Sequence, residues 1–364
     1  LAAGSTTGTF TGTNVPLGGF ATITEEAGAA WVISGANSIA TAAAVYAGGA
    51  LSCTGALVNA GSITGFAGPN KENGGTGITL SAGTLDNTGS ITGGAGFSFA
   101  NANAATNGGA GVYVSGGTLT NAGTITGGAG GIGKSKNGAQ GDAVQFGGAA
   151  ATLVVDAGAV FGGNIAANTA VNDVLQLAGG TAGTLAGLGS AITGFTTITE
   201  SVGGNWSFSG ASTLASGSTL SASGSLAFLA GVSNSGVIDA AGLISVAAAI
   251  TGTGTLQIAS GATLSLTAGI ASTQTVDFLA TSGLVDLNAA TSTTSFAGTF
   301  SGFAGSDQID LINSTATTLS YASGVLTVDN GSTVVAKLHF TGNYTNSDFS
   351  IGSDSHGGSV IKFV

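Results

Sequence analysis

The apolar residues of this chain fall in short alternations. A stretch such as TLQIASGATLSLTAG, from Thr255, sets Leu256 and Ile258, then Leu264 and Leu266, two apart among hydroxyl or small residues, and breaks at glycine between them. A period of two puts the apolar side chains on one face of a strand, and the glycine makes the corner that ends it. Helix signals are weak. The best run, Ala40 to Val45, is alanine-rich but has no capping box and soon meets Gly48-Gly49. The pattern predicts an all-β chain of many short strands.

One phrase recurs: LVNAGSITG from Leu57, LDNTGSITGG from Leu85 and LTNAGTITGG from Leu119, with a degraded copy, LVVDAGAVFGG, from Leu153. The offsets are 28, 34 and 34 residues. Repetition at this period marks a stacked architecture, in which each unit buries its apolar face against neighbours above and below. Ile63, Ile91 and Ile125 each lie between two hydroxyl residues and are expected to point inward. With the copies in register, Asn59, Asn87 and Asn121 fall above one another and their amides bond along the stack, as in the asparagine ladder of a parallel β-helix. The competing reading is that asparagine is simply a good turn residue. Register would also align Ser62, Ser90 and Thr124 in one file and Thr64, Thr92 and Thr126 in another. Ice-binding β-helices use such arrays, although threonine is also an ordinary strand former.

A longer repeat overlies the short one. GFATITEEAGAAWVISG (Gly19 to Gly35) matches GFTTITESVGGNWSFSG (Gly194 to Gly210) at an offset of 175, which also carries Asn59 onto Asn234 and Ile63 onto Ile238. The duplicated spans are about 20–63 and 195–238, and Phe20, Trp31, Phe195 and Trp206 are expected as packing residues of equivalent coils. The segments Gly93 to Gly111 and Gly127 to Ala143 read as glycine-rich loops inserted into a coil. With the shorter insert after Gly65 they carry Lys71, Lys134 and Lys136, three of the five lysines. From about Phe296 the strands lengthen and Asp329-Asn330-Gly331 gives a hairpin signal. The expected organisation is therefore a right-handed parallel β-helix over 1–295 and a C-terminal β module over 296–364 that covers the exposed strand edges of the stack. About fourteen to eighteen coils, about 4.8 Å apart, would make a rod on the order of 70 to 80 Å long.

Composition narrows the partners. With 67 glycines but 43% apolar and only 6% charged residues, the chain is not a disordered linker. The net charge is −11 with no arginine, so no basic patch exists for nucleic acid or an anionic membrane surface. No apolar run suits a membrane-spanning helix, and no membrane insertion is expected. Leu1 follows no basic leader, so a leader is expected to have been removed or not needed at this end. The single cysteine, Cys53, aligns with Phe228 across the 175-residue offset and is expected to be a small buried apolar residue.

Catalytic chemistry is thin. The only histidines are His339 and His356, and the carboxylates before residue 300 are scattered, with Glu25, Glu26 and Glu200 read as part of a solvated face. No enzyme activity and no cofactor are expected, with calcium as the one exception considered. Asp307, Asp310, Asp329, Asp348 and Asp354 offer hard oxygen ligands, and SDSHGG from Ser353 resembles an ion-wrapping loop. The alternative is that these acids keep an edge-rich module soluble.

The L-x-N-x-G-x-I-T-G-G phrase, its glycine-rich inserts and the GF-x-T-I-T-E…W-x-x-S-G unit resemble the passenger regions of bacterial autotransporter-type adhesins and related β-strand-repeat surface proteins, over roughly residues 15–290. The chain departs from that pattern at its end, where no membrane barrel follows. The segment from Phe303, closing on VIKFV, is similar to the C-terminal segments of one-step (type I) secreted proteins, though the G-G-x-G-x-D calcium repeat of that class is absent. The resemblance implies a secreted, extracellular protein of the bacterial cell surface. The nearly uncharged rod further suggests a structural or adhesive role, with self-assembly into a homo-oligomer or polymer such as a filament, sheet or biofilm matrix, and surface glycans as further partners. The alternatives are a carbohydrate-active or glycan-binding β-helix and an ice binder.

Overall fold

The structure is a computed structural model that describes residues 1–2, 7–16, 20–26, 29–99, 105–288, 296–354 and 356–364, with the side chains of 12–16 left aside. The chain is all-β and repetitive. No α-helix occurs among the described residues, and the alanine-rich run at 40–45 forms a turn leading into a strand. Two compact units are present: Leu1–Gln176 with Ala191–Phe195, and Leu177–Ser190 with Thr196–Val364.

In the first unit each coil contributes up to three short strands, which pair in parallel with the same strands of the next coil. Ala50–Cys53, Ala56–Asn59 and Ser62–Gly65 are the three sides of one coil. Above them lie Ile78–Leu80, Thr84–Asn87 and Ser90–Thr92, then Val112–Val114, Gly117–Asn121 and Thr124–Thr126. Glycine and small residues make the corners, and alternate side chains point in. Leu57, Leu85, Leu119 and Leu153 form one buried file and Ile63, Ile91 and Ile125 another. Each such side chain is worth about 1.5–3 kcal/mol of burial. No coil has a core of its own, so that gain exists only in the stack.

The second unit repeats the arrangement without inserts. Thr219–Ala222, Val237–Ala240 and Thr255–Ile258 pair in parallel at a spacing of one coil, as do Ser225–Phe228, Leu243–Val246 and Thr263–Leu266. Towards the C-terminus the pairing changes sense. Thr318–Ala322, Val325–Asn330 and Thr333–Phe340 form an antiparallel meander with Gly331 in the left-handed region at φ 63°, so the hairpin at Asp329-Asn330-Gly331 forms. Ser359–Phe363 runs antiparallel between Gln308–Leu311 and Phe349–Ser353. Phe303, Phe340 and Phe349 gather in one cluster with centroids 5.1–6.1 Å apart.

The 175-residue duplication is a duplication of contacts. Trp31 sits in register between Gly8 and Leu51, and Trp206 between Gly183 and Leu226, three pairs all 175 apart. A Cβ at Gly8 or Gly183 would collide with the indole above it, which is why glycine stands beneath both. The expectation that all four aromatics pack is corrected at one of them. Phe195 is 7% exposed and meets Phe146 edge-on at 5.4 Å, whereas Phe20 is 63% exposed. Phe20 precedes Thr22–Thr24, the outermost strand of its file, so no further strand of that file lies against it. Trp206 is buried, and Trp31 is only half-buried.

Candidate functional site

The asparagine ladder is present and lies inside the stack. Asn59 Nδ2 donates to Asn87 Oδ1 at 2.7 Å, and Asn87 Nδ2 donates to Asn121 Oδ1 at 2.7 Å. Each amide also bonds a corner backbone carbonyl: Asn59 that of Ser90 at 3.2 Å, Asn87 that of Thr124 at 3.3 Å, and Asn121 that of Gly123 at 3.2 Å. All three are buried, and the ladder ends where the file continues as Ile39 on one side and Val155 on the other. At the Ile39 end Asn59 Oδ1 accepts no hydrogen bond, the direct consequence of an apolar neighbour. The second unit builds a shorter version, in which Asn234 Nδ2 donates to Gln274 Oε1 at 3.1 Å and Gln274 Nε2 donates back to the Asn234 carbonyl at 2.7 Å.

The hydroxyl files are in register as expected. Ser62, Ser90 and Thr124 are paired along one line and Thr64, Thr92 and Thr126 along the next, all partly exposed, with the isoleucine file buried between them. Ala44 and Tyr46 flank these lines on one side, and Val160 and Gly162 on the other.

The described parts of the glycine-rich inserts lie outside the strands. They stack into an ordered fin. The outgoing limbs run through 66–68, 94–99 and 127–132 and the returning limbs through 73–77, 105–111 and 138–143. Limbs bond their own kind in the next coil, as Gly96 N to Ala129 O and Gly108 N to Ala139 O, both 2.9 Å. They also bond across. Gly94 N donates to Gly75 O at 2.7 Å, Gly109 N to Gly94 O at 2.9 Å, Gly128 N to Gly109 O at 2.8 Å and Gly141 N to Gly128 O at 2.9 Å. The backbones approach so closely that a Cβ at Gly94 would fall inside the Phe66 carbonyl oxygen, and one at Gly128 inside that of Gly94. Side-chain rungs reinforce the returning limbs, where Asn107 N donates to Asn73 Oδ1 at 2.9 Å and Ala139 N to Asn107 Oδ1 at 2.8 Å. The signal for this was in the sequence. Glycine pairs at Gly74-Gly75 and Gly108-Gly109, and at Gly93-Gly94 and Gly127-Gly128, repeat at 34 residues.

The carboxylates divide into spent and unspent. Glu25 and Glu200 are buried, contrary to the solvated face expected for them. Glu25 Oε2 accepts from Gly49 N at 3.2 Å and Glu200 Oε2 from Gly224 N at 2.6 Å, again 175 apart, and Oε1 of each accepts no hydrogen bond. Desolvation outweighs those bonds and pushes both carboxyls above their ordinary range. Burial likewise pushes the Cys53 thiol up to about 11, which makes it an inert core residue.

The five aspartates considered for calcium are not gathered as a set. Asp307 is buried with Oδ1 taken by Gly283 N and Oδ2 by Ala304 N, both at 2.8 Å. Asp348 closes a turn onto Thr345 N at 2.7 Å, Asp329 lies in the meander, and Asp354 holds His356 N at 2.7 Å and Gly358 N at 2.8 Å. Asp310 and Asp354 come within electrostatic reach of each other, and Ser355 of the SDSHGG loop lies outside the described residues. Among the described residues no three His, Cys, Asp or Glu side chains group so as to hold a metal ion, and no helix is long and apolar enough to cross a membrane.

The chain matches no known protein family, no curated protein and no solved structure. The site must therefore be read from its own geometry. Most buried polar side chains are committed to the stack itself: the amides to one another and to corner carbonyls, and Asp173 to Ala151 N at 2.9 Å and Asn168 N at 2.8 Å.

Proposed function

We propose that this chain is a secreted structural or adhesive protein of the bacterial cell surface that assembles with copies of itself into a filament, sheet or matrix. The observation that carries this reading is the use of the buried polar groups. Asn59, Asn87, Asn121, Asp173 and Asp307 bond neighbouring coils and turns, so they lock register and not a substrate. In this reading the coils wind right-handed, the usual hand for parallel strand connections, and the antiparallel strands after Thr318 close the stack. Such closure removes a strand edge from solvent and leaves the flanks of the coils and the fin as contact surfaces. Sedimentation and negative-stain microscopy test the proposal. Ordered assemblies are expected above a threshold concentration, and a monodisperse monomer at high concentration, with and without calcium, would refute it.

The registered hydroxyl files favour one second reading, an ice-binding face. Thermal hysteresis in the purified protein, lost on changing Thr92 to Lys, is its signature; a solution that freezes like buffer excludes it.

A further inference from the structure

The fin ends in a surface unlike the rest of the chain. Phe97 and Phe99 meet edge-on at 4.9 Å, and Ile132 is 68% exposed beside them. Phe99 N donates to Ile132 O at 2.8 Å and Ile132 N to Ser98 Oγ at 2.9 Å, while Gly133 N donates to Asn137 Oδ1 at 3.2 Å and Ala105 N to Lys136 O at 3.1 Å. The backbone under Lys134 and Lys136 is thus held in place, and both side chains, like that of Lys71, are exposed and form no ion pair among the described residues. An apolar and cationic edge, carrying Lys134 and Lys136, has been built on a chain of net charge −11.

The second unit carries the opposite. Asp286 and Asp310 stand in register on adjacent coils, on the partly exposed side of strands whose Val285, Leu287, Ile309 and Leu311 point into the core, and Asp310 Oδ1 is covered without accepting a hydrogen bond. Neighbouring strands lie about 4.8 Å apart, so the two side chains leave the backbone on adjacent coils at matching positions. Among the described residues no lysine pairs with them: Lys362 faces Gln308, and His356 is the cationic group that acts on Asp310. Asp310 is held above its ordinary range by desolvation and then by the Asp354 and Asp286 carboxylates, so an added cation there relieves repulsion.

We infer that the fin edge is a docking surface for a second copy of this chain, with Lys134 and Lys136 of one copy set against Asp286 and Asp310 of the next and Ile132 buried at the contact. The occupant follows from charge complementarity. Two copies of an acidic chain repel over most of their surface, and these lysines are the groups that turn an approach into an attraction. The two surfaces differ, so the contact is heterologous and leaves one of each free on every added copy. Growth is then open-ended unless a ring closes. The inference rests on the self-assembly reading above and names its contact.

Charge exchange on the full chain tests it, read by sedimentation at low salt, where screening is weak. Lys134→Glu/Lys136→Glu is expected to raise the concentration at which assembly begins by about tenfold or more, as loss of close charge pairs does. Asp286→Lys/Asp310→Lys should do the same, and an equimolar mixture of the two variants should assemble like the wild type. Should the lysine-exchanged acid variant lose its circular dichroism, Asp286→Asn/Asp310→Asn replaces it and should weaken assembly without being rescued. Wild-type assembly that the fin variant leaves unchanged overturns this contact while sparing self-assembly. So does a fin variant that fails to assemble and is not rescued in the mixture, or wild-type binding to phosphatidylglycerol vesicles that the fin variant loses while still assembling. A wild type that stays monomeric removes the self-assembly reading and this contact together.

Discussion

At the scale of the residue, the stack is tuned by polar groups that it has sealed from water. Asn87 is the middle rung of the ladder, bonded through its amide above and below. Asn87→Ala would remove one partner each from the buried Asn59 Nδ2 and Asn121 Oδ1, leaving them only Ser90 O and Gly123 N, and would leave a cavity between them; each buried hydrogen-bonding site left unmet costs about 1–3 kcal/mol. A loss on the order of 3 kcal/mol in urea unfolding is expected, against about 0.5 kcal/mol or less for Val58→Ala on the exposed side of the same coil. Equal effects would mean the ladder is ornamental. The carboxyls that the fold desolvates act through pH. Glu25, Glu200, Asp286, Asp307 and Asp310 all have raised proton affinity in the fold, chiefly through desolvation, so the folded chain binds more protons than the unfolded one. Their stabilising contribution is complete below the ordinary carboxylate range and is lost as pH rises through the raised folded values. Asp354, lowered first by the His356 N–H, works in the opposite sense and only at more acid pH. The melting temperature should therefore fall from weakly acid towards neutral pH, and Glu200→Gln should flatten that slope while keeping an acceptor for Gly224 N. A melting temperature that climbs over this interval in the wild type would contradict the assignment.

At the scale of the element, the fin is irregular chain stacked almost wholly through backbone hydrogen bonds. Its limbs bond to like limbs and to opposite limbs, and glycine is required because the carbonyl of one limb occupies the space a Cβ would take on the next. Gly94→Ala is thus expected to open the fin without unfolding the coils, since the Leu and Ile files lie elsewhere in each coil. Amide hydrogen exchange checks this. Gly109, Gly128 and Gly141 should exchange slowly in the wild type, as hydrogen-bonded amides do, and by about tenfold or more faster in the variant, while Ile91 and Ile125 keep their protection. Fast exchange in the wild type would mean that the limbs of the fin are not held together by these bonds. Ala129→Ser, on an exposed position of the neighbouring outgoing limb, should change nothing.

At the scale of the whole molecule, the chain carries one plan twice and fills it differently. Trp31 and Trp206 have the same neighbours in register, yet Trp206 is buried with its Nε1 donating to Ala178 O at 2.8 Å, while Trp31 is half-buried with a 3.4 Å bond to Ala2 O. Trp31→Phe should leave a blue-shifted emission from Trp206 alone, and Trp206→Phe a red-shifted one at a larger cost in stability; indistinguishable spectra would break the comparison. Much of this was legible beforehand. The two-residue alternation set the strands, the recurring Leu-x-Asn-x-Gly phrase set the register, and the 175-residue offset found Gly8, Trp31 and Leu51 their counterparts, because a parallel stack forces like positions to lie on like. What the sequence alone left open was wherever a side chain's fate depends on what another coil places beside it. Phe20 reads like Phe195 but has no Phe146 against it. Glu25 and Glu200 read as solvent-facing and are buried, because Gly49 and Gly224 offer each an N–H and, at Glu200, Gly204 and Gly224 also leave room for the carboxylate. The inserts read as loops because glycine carries no hydrophobic pattern. Their order comes from backbone groups, identical at every residue, and only the three-dimensional stack decides which of those meet.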